Sequence, residues 1–287
     1  MKLKNLTIVL LTSLGLICFS YCQKEAGKEA EAGPAYDSIP TVKQITPIIN
    51  EISGIADSKT YPGFLWGHED SGRPPQLYKI GHDGQVSKKV YIKGVTNRDW
   101  EDMDLTDNKI YIGEIGDNAS AYSNYKFYIF PEPTVSQDTV SQVETISFTY
   151  PDGSHDAEAF VVDPLTRDIY LITKRDDPSR VYKLSYPYAA SSTLNYEGSL
   201  PYMGVTGAGI SADGKEIIVK TYTNLFHYKR KTGQSVAQAL QTSFTTLKYT
   251  IEPQGEAISF SANGSGFFTV SEKGFAPWVN IYFYKKK

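Results

Sequence analysis

Cysteine is nearly absent from this 287-residue chain: Cys18 and Cys22 are the only two, and both precede residue 23. The body therefore has no disulfide, no thiolate metal site and no cysteine nucleophile. A surplus of either charge is also missing. Lysine and arginine number 29 against 32 aspartates and glutamates, a net of −3, so nothing basic remains to neutralise phosphates and a general nucleic-acid binder is excluded. No Gly-x-Ser-x-Gly elbow occurs, and no Ser, His and Asp set is marked out by spacing. Long helical periods are lacking as well; Ser235–Leu240 is the sole helix candidate, and it is short. Aromatic residues are what the chain has in quantity, at 13% with 21 Tyr and 13 Phe, a composition that favours strands. With 40% hydrophobic and 21% charged residues it is too apolar for disorder.

The amino terminus reads as an address. Lys2 and Lys4 precede an apolar run from Leu6 to Phe19, the layout of a secretory signal over residues 1–21 and too short for a stable membrane span. Phe19-Ser20-Tyr21-Cys22 followed by Gln23-Lys24 resembles a bacterial lipoprotein signal, which implies lipidation of Cys22; ordinary cleavage near Cys22 is the alternative. Loss of Lys2 and Lys4 leaves 27 positive and 32 negative charges, a net of −5. Residues 22–40, rich in Ala, Glu, Gly and Pro, read as a flexible tether, and residues 41–287 as the folded body. The expected location is the bacterial cell envelope, periplasmic or surface-exposed, with a lipid anchor as the sole membrane contact.

Internal similarity organises the body. A pattern begins at Glu51-Ile-Ser-Gly-Ile-Ala-Asp57, again at Trp100-Glu-Asp-Met-Asp-Leu105, and then at Ala157–Asp163, Gly207–Asp213 and Gly255–Phe260. Each start leads to a second strand, such as Ile110–Ile112, and to an aromatic third strand, such as Tyr125–Phe130. Fourth strands fit Val86–Ile92, Thr145–Tyr150, Leu194–Leu200 and Thr246–Ile251. Four strands at a period of about fifty residues are the signature of an all-β propeller. The count gives five blades, with room for a sixth in Ala119–Asp156 or Ala189–Thr206. Thr41–Ile48 is a spare strand, and pairing it with the three-strand last repeat would close the ring and hide two edges.

Because successive strands are antiparallel, the start of strand one and the end of strand two share a face, and their polar residues converge at the channel mouth. The first set comprises Glu51, Asp99, Glu101, Asp102, Asp156, Glu158, Gln254 and Glu256. The second comprises His68, Asp70, Glu114, Asp117, Asn118, Lys174, Arg175, Lys220 and Glu272. Four of five repeats supply a glutamate at the start of strand one, so that carboxylates crowd one axis. Such crowding raises pKa values, and a bound cation relieves it. Calcium or another hard divalent ion takes six to eight oxygens. Glu51, Glu101, Asp117, Asn118, Glu158 and Glu256 are the candidate ligands, with Asp70 close by. His68 and His155 adapt the set to a softer ion. His68, Asp70, Asp99, Asp156, Lys174, Arg175, Lys220 and Glu272 are the candidate contacts to a polar ligand. The competing reading makes these acids strand caps and partners of Arg98, Lys174, Arg175 and Lys220.

The motifs EISGIA, WGHEDSG, QLYKIGHDG, DWEDM, IYIGEIGDN and FPEP between Glu51 and Pro133, continued by Asp156–Lys174 and Gly255–Phe260, resemble a family of secreted bacterial β-propellers without assigned activity. More distantly, Glu-x-Ser-Gly-Ile and Ala-Glu-Ala resemble the esterase-like phytases, and the mouth acids are similar in kind to those of the gluconolactonase group. That last resemblance implies a divalent metal at the propeller axis, held by Glu51 with Asn118 or Glu158, polarising a lactone or ester carbonyl. Three functions follow as expectations. The first is a binding module for a polar small molecule, a glycan or an envelope protein. The second is a metal-dependent hydrolase of esters, lactones or phosphoesters, with Glu101 or Glu158 as base and Lys174, Arg175 or Lys220 holding an anionic group. The third is a structural part of an envelope assembly.

Overall fold

The computed structural model describes residues 35–287. The signal, Cys22 and most of the tether lie outside the described residues. From Thr41 onward the alternating, aromatic-rich segments form 22 strands and one short helix. An N-terminal strand, β1 (Thr41–Gln44), precedes blade one, built of β2 (Ile52–Asp57), β3 (Phe64–Glu69), β4 (Gln76–Gly81) and β5 (Val86–Ile92). Blade two is β6 (Trp100–Thr106), β7 (Lys109–Glu114), β8 (Tyr125–Pro131) and, after the short β9 (Thr139–Val140), β10 (Glu144–Thr149). Blade three is β11 (Ala157–Val162), β12 (Ile169–Thr173), β13 (Arg180–Leu184) and, after β14 (Ser191–Thr193), β15 (Asn195–Ser199). Blade four is β16 (Val205–Ile210), β17 (Glu216–Thr221), β18 (Leu225–Lys229) and, after helix α1 (Val236–Leu240), β19 (Thr245–Leu247). Blade five is β20 (Gly255–Phe260), β21 (Gly266–Ser271) and β22 (Asn280–Lys285), completed by β1.

Each blade is an antiparallel four-stranded sheet, and the inner strands close a ring: β2 packs on β6, β6 on β11, β11 on β16, β16 on β20 and β20 back on β2. The protein is a five-bladed β-propeller. Its core is five apolar layers, one between each pair of neighbouring blades. Trp66, Trp100 and Tyr128 fill one, Phe127, Phe148 and Phe160 another, and Tyr36, Phe267 and Tyr284 a third. The abundance of aromatics is thus explained by wedge-shaped gaps between twisted sheets, which large flat side chains fill.

The extra length that left room for a sixth blade is used differently. β9 and β14 add in parallel to the outer edges of β5 and β10, so blades two and three each cover the edge of the blade before. The ring closes with Thr41 opposite Phe283 and Gln44 opposite Asn280. The closing strand ends at Gln44 rather than Ile48, because Thr46 leaves to bridge Gln85 and Pro47 has no N–H to continue a ladder. The folded body begins before Thr41: Tyr36 bridges Lys286, is 3% exposed and packs edge-on against His227 and Phe267. Tyr36 therefore belongs to the folded body. Helix α1 has Ser235 as N-cap in a capping box with Gln238.

Every inner strand carries a register shift at the same height, between Ile52 and Gly54, Trp100 and Met103, Ala157 and Ala159, Val205 and Gly207, and Gly255 and Ala257. A bulge of this kind re-aims the extra residue and is common beside functional sites. Here it delivers five side chains, Ser53, Glu101, Glu158, Thr206 and Glu256, to the mouth of the channel. In β6 the neighbouring Asp102 turns inward instead. Its carboxyl accepts from Met103 N at 2.8 Å, Phe160 N at 3.2 Å and Ala208 N at 3.5 Å, bracing blades two, three and four across the axis.

Candidate functional site

The five bulges correct the alignment of the repeats. Register places Ser53, not Glu51, level with Glu101, Glu158 and Glu256, so three blades and not four supply a glutamate there. Glu51 lies at the rim, where Arg73 Nε holds it at 2.5 Å and, with its hydrogen bond, lowers the Glu51 pKa. Around the three glutamates stand the residues that precede strand one (Asp99, Asp156, Gln254) and those that follow strand two (Asp70, Lys174, Tyr222, Glu272). Backbone bonds tie the two tiers together: Asp70 N donates to Glu51 O at 2.8 Å, Lys174 N to Asp156 O at 2.9 Å and Glu272 N to Gln254 O at 3.1 Å.

One half of this mouth has the geometry of a cation site. Asp70, Asp99 and Glu101 each present a carboxylate oxygen, and these atoms lie within 4.8 Å of one another. Two oxygens on opposite sides of an ion at the calcium distance stand about 4.6–5.2 Å apart, so the trio spans one such ion. Gly116 keeps the space beside it open: a Cβ there would stand 2.7 Å from Asp99 Oδ2 and would collide with Glu101 Oε1. Burial raises all three pKa values. Asp99 rises to about 6, with Asp70 and Asp156 adding repulsion, and Glu101 rises well above the usual range under burial and the charges of Glu158, Asp70 and Asp99. The donor set is three hard oxygens whose raised pKa values persist although Arg98 opposes the rise at Asp99 and Lys174 and Arg73 oppose it at Asp70, and it fits a divalent ion.

The other half is a hydrogen-bonded arc. Lys174 Nζ donates to Glu158 Oε1 and, at 3.1 Å, to the Tyr222 hydroxyl, which donates to Glu256 Oε1 at 2.9 Å. Gln254 Nε2 donates to Glu272 Oε2 at 3.1 Å. Burial opposes the Lys174 charge, but Glu158 and Tyr222 outweigh it and raise its pKa. Glu158 is lifted to about 8 by burial, with Glu256 adding to the rise and Lys174 opposing it, and Glu272 to about 9 by burial and then Glu256. Glu158 Oε2 is buried without a partner.

Several residues marked by the sequence are spent elsewhere. Asp117 accepts from Ala121 N, Tyr122 N and the Tyr125 hydroxyl at 2.7, 2.9 and 2.8 Å, so it organises the loop after β7. Asn118 accepts from Arg175, whose Nε also holds Asp156 at 2.8 Å. His155 sits between Asp152 and Asp176 at 3.1 and 2.9 Å. His68 is fully buried between blades one and two against Trp100, and burial pushes its pKa down to about 4. Lys220 occupies the equivalent position in blade four and is also fully buried, 3.5 Å from Glu252. Neither His68 nor Lys220 offers anything to the mouth. Tyr222 and Gly116 were legible as residue types, but only the register assigns them their roles.

A cavity of about 290 Å³ opens at the far end of the channel, lined by Asp57, Asp104, Ser211, Ser259 and Ser261 among others. Its polar side chains are committed to structure. Asp57 accepts from Ala262 N at 2.8 Å, Asp104 from Val162 N at 3.1 Å, and Ser211 from Glu216 N at 2.9 Å. The unmatched chemistry lies at the mouth, not there.

The sequence matches no protein-family model and no curated protein sequence. Many solved structures match the fold. A protein provisionally named a gluconolactonase aligns with a TM-score of 0.51 at 10% identity, over 83% of this chain and 77% of its own. A luciferin-regenerating enzyme gives 0.50 at 10% identity over 86% and 95%. The PQQ-bound aldose sugar dehydrogenase of Streptomyces coelicolor gives 0.49 at 10% identity over 88% and 100%. At this identity the likeness is one of propeller architecture.

Proposed function

We propose that this protein is a cation-dependent binding module, exported and lipid-anchored through Cys22, whose channel mouth receives a polar ligand or partner. The observation that carries the reading is the trio Asp70, Asp99 and Glu101, gathered within 4.8 Å on a face kept open by Gly116. A divalent ion there would leave coordination positions free for a ligand, since hard cations take six or more oxygens and the trio gives three to six. Thermal unfolding of the metal-stripped protein with and without millimolar calcium tests it. At one hundred times the dissociation constant the ion adds about 2.7 kcal/mol, a shift of several degrees. Glu101→Gln and Asp99→Asn should abolish the shift while leaving the metal-free protein folded. Absence of a shift with calcium, magnesium, manganese and zinc would remove the cation from the account.

The metal-dependent hydrolase is a second reading, favoured by one feature. Glu158, lifted to about 8 and with Oε2 unpartnered, is a carboxyl group placed to exchange a proton near neutral pH. The enzyme names of the structural neighbours agree with it as analogy. A metal would supply Lewis-acid polarisation of the scissile carbonyl or phosphoryl. Turnover of an ester, lactone or phosphoester panel that disappears in Glu158→Gln would decide for it.

A further inference from the structure

The face opposite the mouth carries a second concavity, set between blades two and three. It is a groove of about 530 Å³, walled by Asp107, Lys109 and Glu144 of blade two and by Arg167, Tyr186 and Tyr188 of blade three. That volume falls within the roughly 300–1,000 Å³ of small-ligand sites. Of the five non-glycine residues with positive φ among the described residues, three line this groove: Asp107 at 53°, Asn108 at 58° and Arg167 at 67°. Asp107 and Asn108 are the two turn residues of the β6–β7 hairpin, where such angles match the twist of the strands. Arg167 has no such reason. Glycine or asparagine is the usual residue at a left-handed turn position, and a long side chain is held there against its own sterics. Residues kept in that state gather at ligand sites, and this one lines the groove.

The guanidinium is fixed by two partners. Arg167 Nε stands 2.7 Å from Asp107 Oδ2, and its Nη1 donates to the Tyr186 hydroxyl at 3.1 Å. The Tyr186 hydrogen bond and the Asp107 charge raise the Arg167 pKa further, so this cation is permanent. On the blade-two wall Lys109 Nζ stands 4.0 Å from Glu144 Oε2. Asp168 and Asp104 lie outside the lining and are occupied by Tyr186 N at 2.9 Å and Val162 N at 3.1 Å. Each cation of the walls thus faces a carboxylate, and no charge is left over for an ionic ligand.

What the walls offer is a donor beside an acceptor, twice, next to an aromatic ring. Tyr186 is 45% exposed; the Tyr188 ring stands perpendicular to it at 5.2 Å, and the Tyr188 hydroxyl donates to Arg167 O, which joins the two turns. Adjacent hydroxyls, each both donor and acceptor, complement such ion pairs, and the C–H face of a sugar ring complements the tyrosine. All four charged side chains remain about half exposed, so the groove encloses no single ring; a chain of sugars lying along it gains more contact.

We propose that this groove binds a neutral oligosaccharide, with one ring on Tyr186 and hydroxyls of the chain on the Arg167–Asp107 and Lys109–Glu144 pairs. The site lies on the other face of the propeller from the mouth, and the inference does not rest on the ion at Asp70, Asp99 and Glu101.

The test is calorimetry and saturation-transfer NMR of the whole chain with maltotriose, cellotriose, mannotriose and tri-N-acetylchitotriose, in calcium and in chelator. At least one should bind with a dissociation constant of about 1 mM or tighter, and its monosaccharide about tenfold more weakly. Tyr186→Ala and Arg167→Gly should each weaken binding about tenfold. Glycine suits the left-handed backbone at residue 167, so Arg167→Gly should keep the unfolding temperature, and its loss is then one of contact and not of fold. The proposal is overturned if no neutral trisaccharide binds up to about 10 mM, or if trigalacturonate or deacetylated chitotriose binds more tightly than the neutral chains. It is also overturned if monosaccharide and trisaccharide bind equally, or if both variants bind as the parent does. Binding that needs calcium would place the sugar at the mouth and sink the proposal, whereas a missing calcium shift in unfolding temperature leaves it standing.

Discussion

At the scale of single residues, the chemistry of the mouth was legible and its geometry was not. Carboxylate-rich starts to strand one could be read directly, because residue type is printed in the chain. Which carboxylate faces which depends on one extra residue per strand, and a bulge leaves no mark in an alternating pattern. Glu51 therefore reads as level with Glu101, and nothing in the pattern marks Gly116 as the residue that leaves room beside Asp99. Its steric role is testable. Gly116→Ala pushes a methyl against Asp99 and Glu101, so the variant should fold yet lose the calcium-induced rise in unfolding temperature. A full rise in that variant would move the ion elsewhere. The carboxyl pKa values give a second test. Asp99 at about 6, Glu158 at about 8 and Glu272 at about 9 keep protons in the fold that the unfolded chain gives up near pH 4. Folded pKa values above unfolded ones stabilise fully at low pH and lose their contribution as pH rises through them. Metal-free protein should therefore lose stability from about pH 4 to about 9 on their account. His68, held down to about 4, works in the other direction and costs stability as pH falls below 6.5. Calcium must displace the retained protons. Calorimetric titration at pH 7 in buffers of different ionisation enthalpy should show proton release on binding, and enthalpies independent of buffer would count against a site among protonated acids.

At the scale of elements, the strands were legible because their core faces repeat every second residue and their turns carry Gly, Asp and Asn. The order of strands within each blade followed from short connections. β9 and β14 escaped because two or three residues carry no period. The inward reach of Tyr36 escaped because its neighbours resemble a linker. That residue makes a sharp prediction for the clasp. Lys286 and His227 both hold Glu216, His227 Nε2 at 3.0 Å, and Tyr36 packs on His227. Burial would raise the Glu216 pKa, but the hydrogen bonds from His227 and Lys286 and the Lys286 charge outweigh it and bring it down to about 2. A depressed carboxyl pKa contributes stability above the unfolded value of about 4.5 and loses it as pH falls toward 2. Tyr36→Ala should cost about 3 kcal/mol by opening a cavity at the seam. Glu216→Gln should flatten the acid limb of the stability curve below pH 4.5. Chains starting at residue 35 and at residue 41 should differ in urea midpoint by a similar margin, and equal midpoints would show that the ring is clasped by β1 alone.

At the scale of the whole molecule, five blades make a closed cycle of interfaces, so no blade can leave without exposing two apolar layers. A single cooperative unfolding transition is the consequence. What the cycle lacks is ladder pairing between its inner strands, since each is hydrogen-bonded along its length only to the second strand of its own blade. Asp102 links them instead, taking N–H groups from β6, β11 and β16 with one carboxyl group. Burial raises its pKa well above the carboxylate range, with Asp104 adding to the rise, so a neutral acceptor is enough for the role. Asp102→Asn keeps one carbonyl oxygen in place and should retain most of the stability. Asp102→Ala orphans buried donors on three strands and should cost about 3 kcal/mol, or roughly 6–12 °C in unfolding temperature. Because Glu101 and Glu158 stand on two of those bulged strands, β6 and β11, Asp102→Ala should also weaken calcium binding although Asp102 is not among the ligands. An alanine variant with unchanged unfolding temperature and unchanged calcium response would show that the interblade layers alone set the channel, and that the polar brace at its centre is incidental to both the fold and the site.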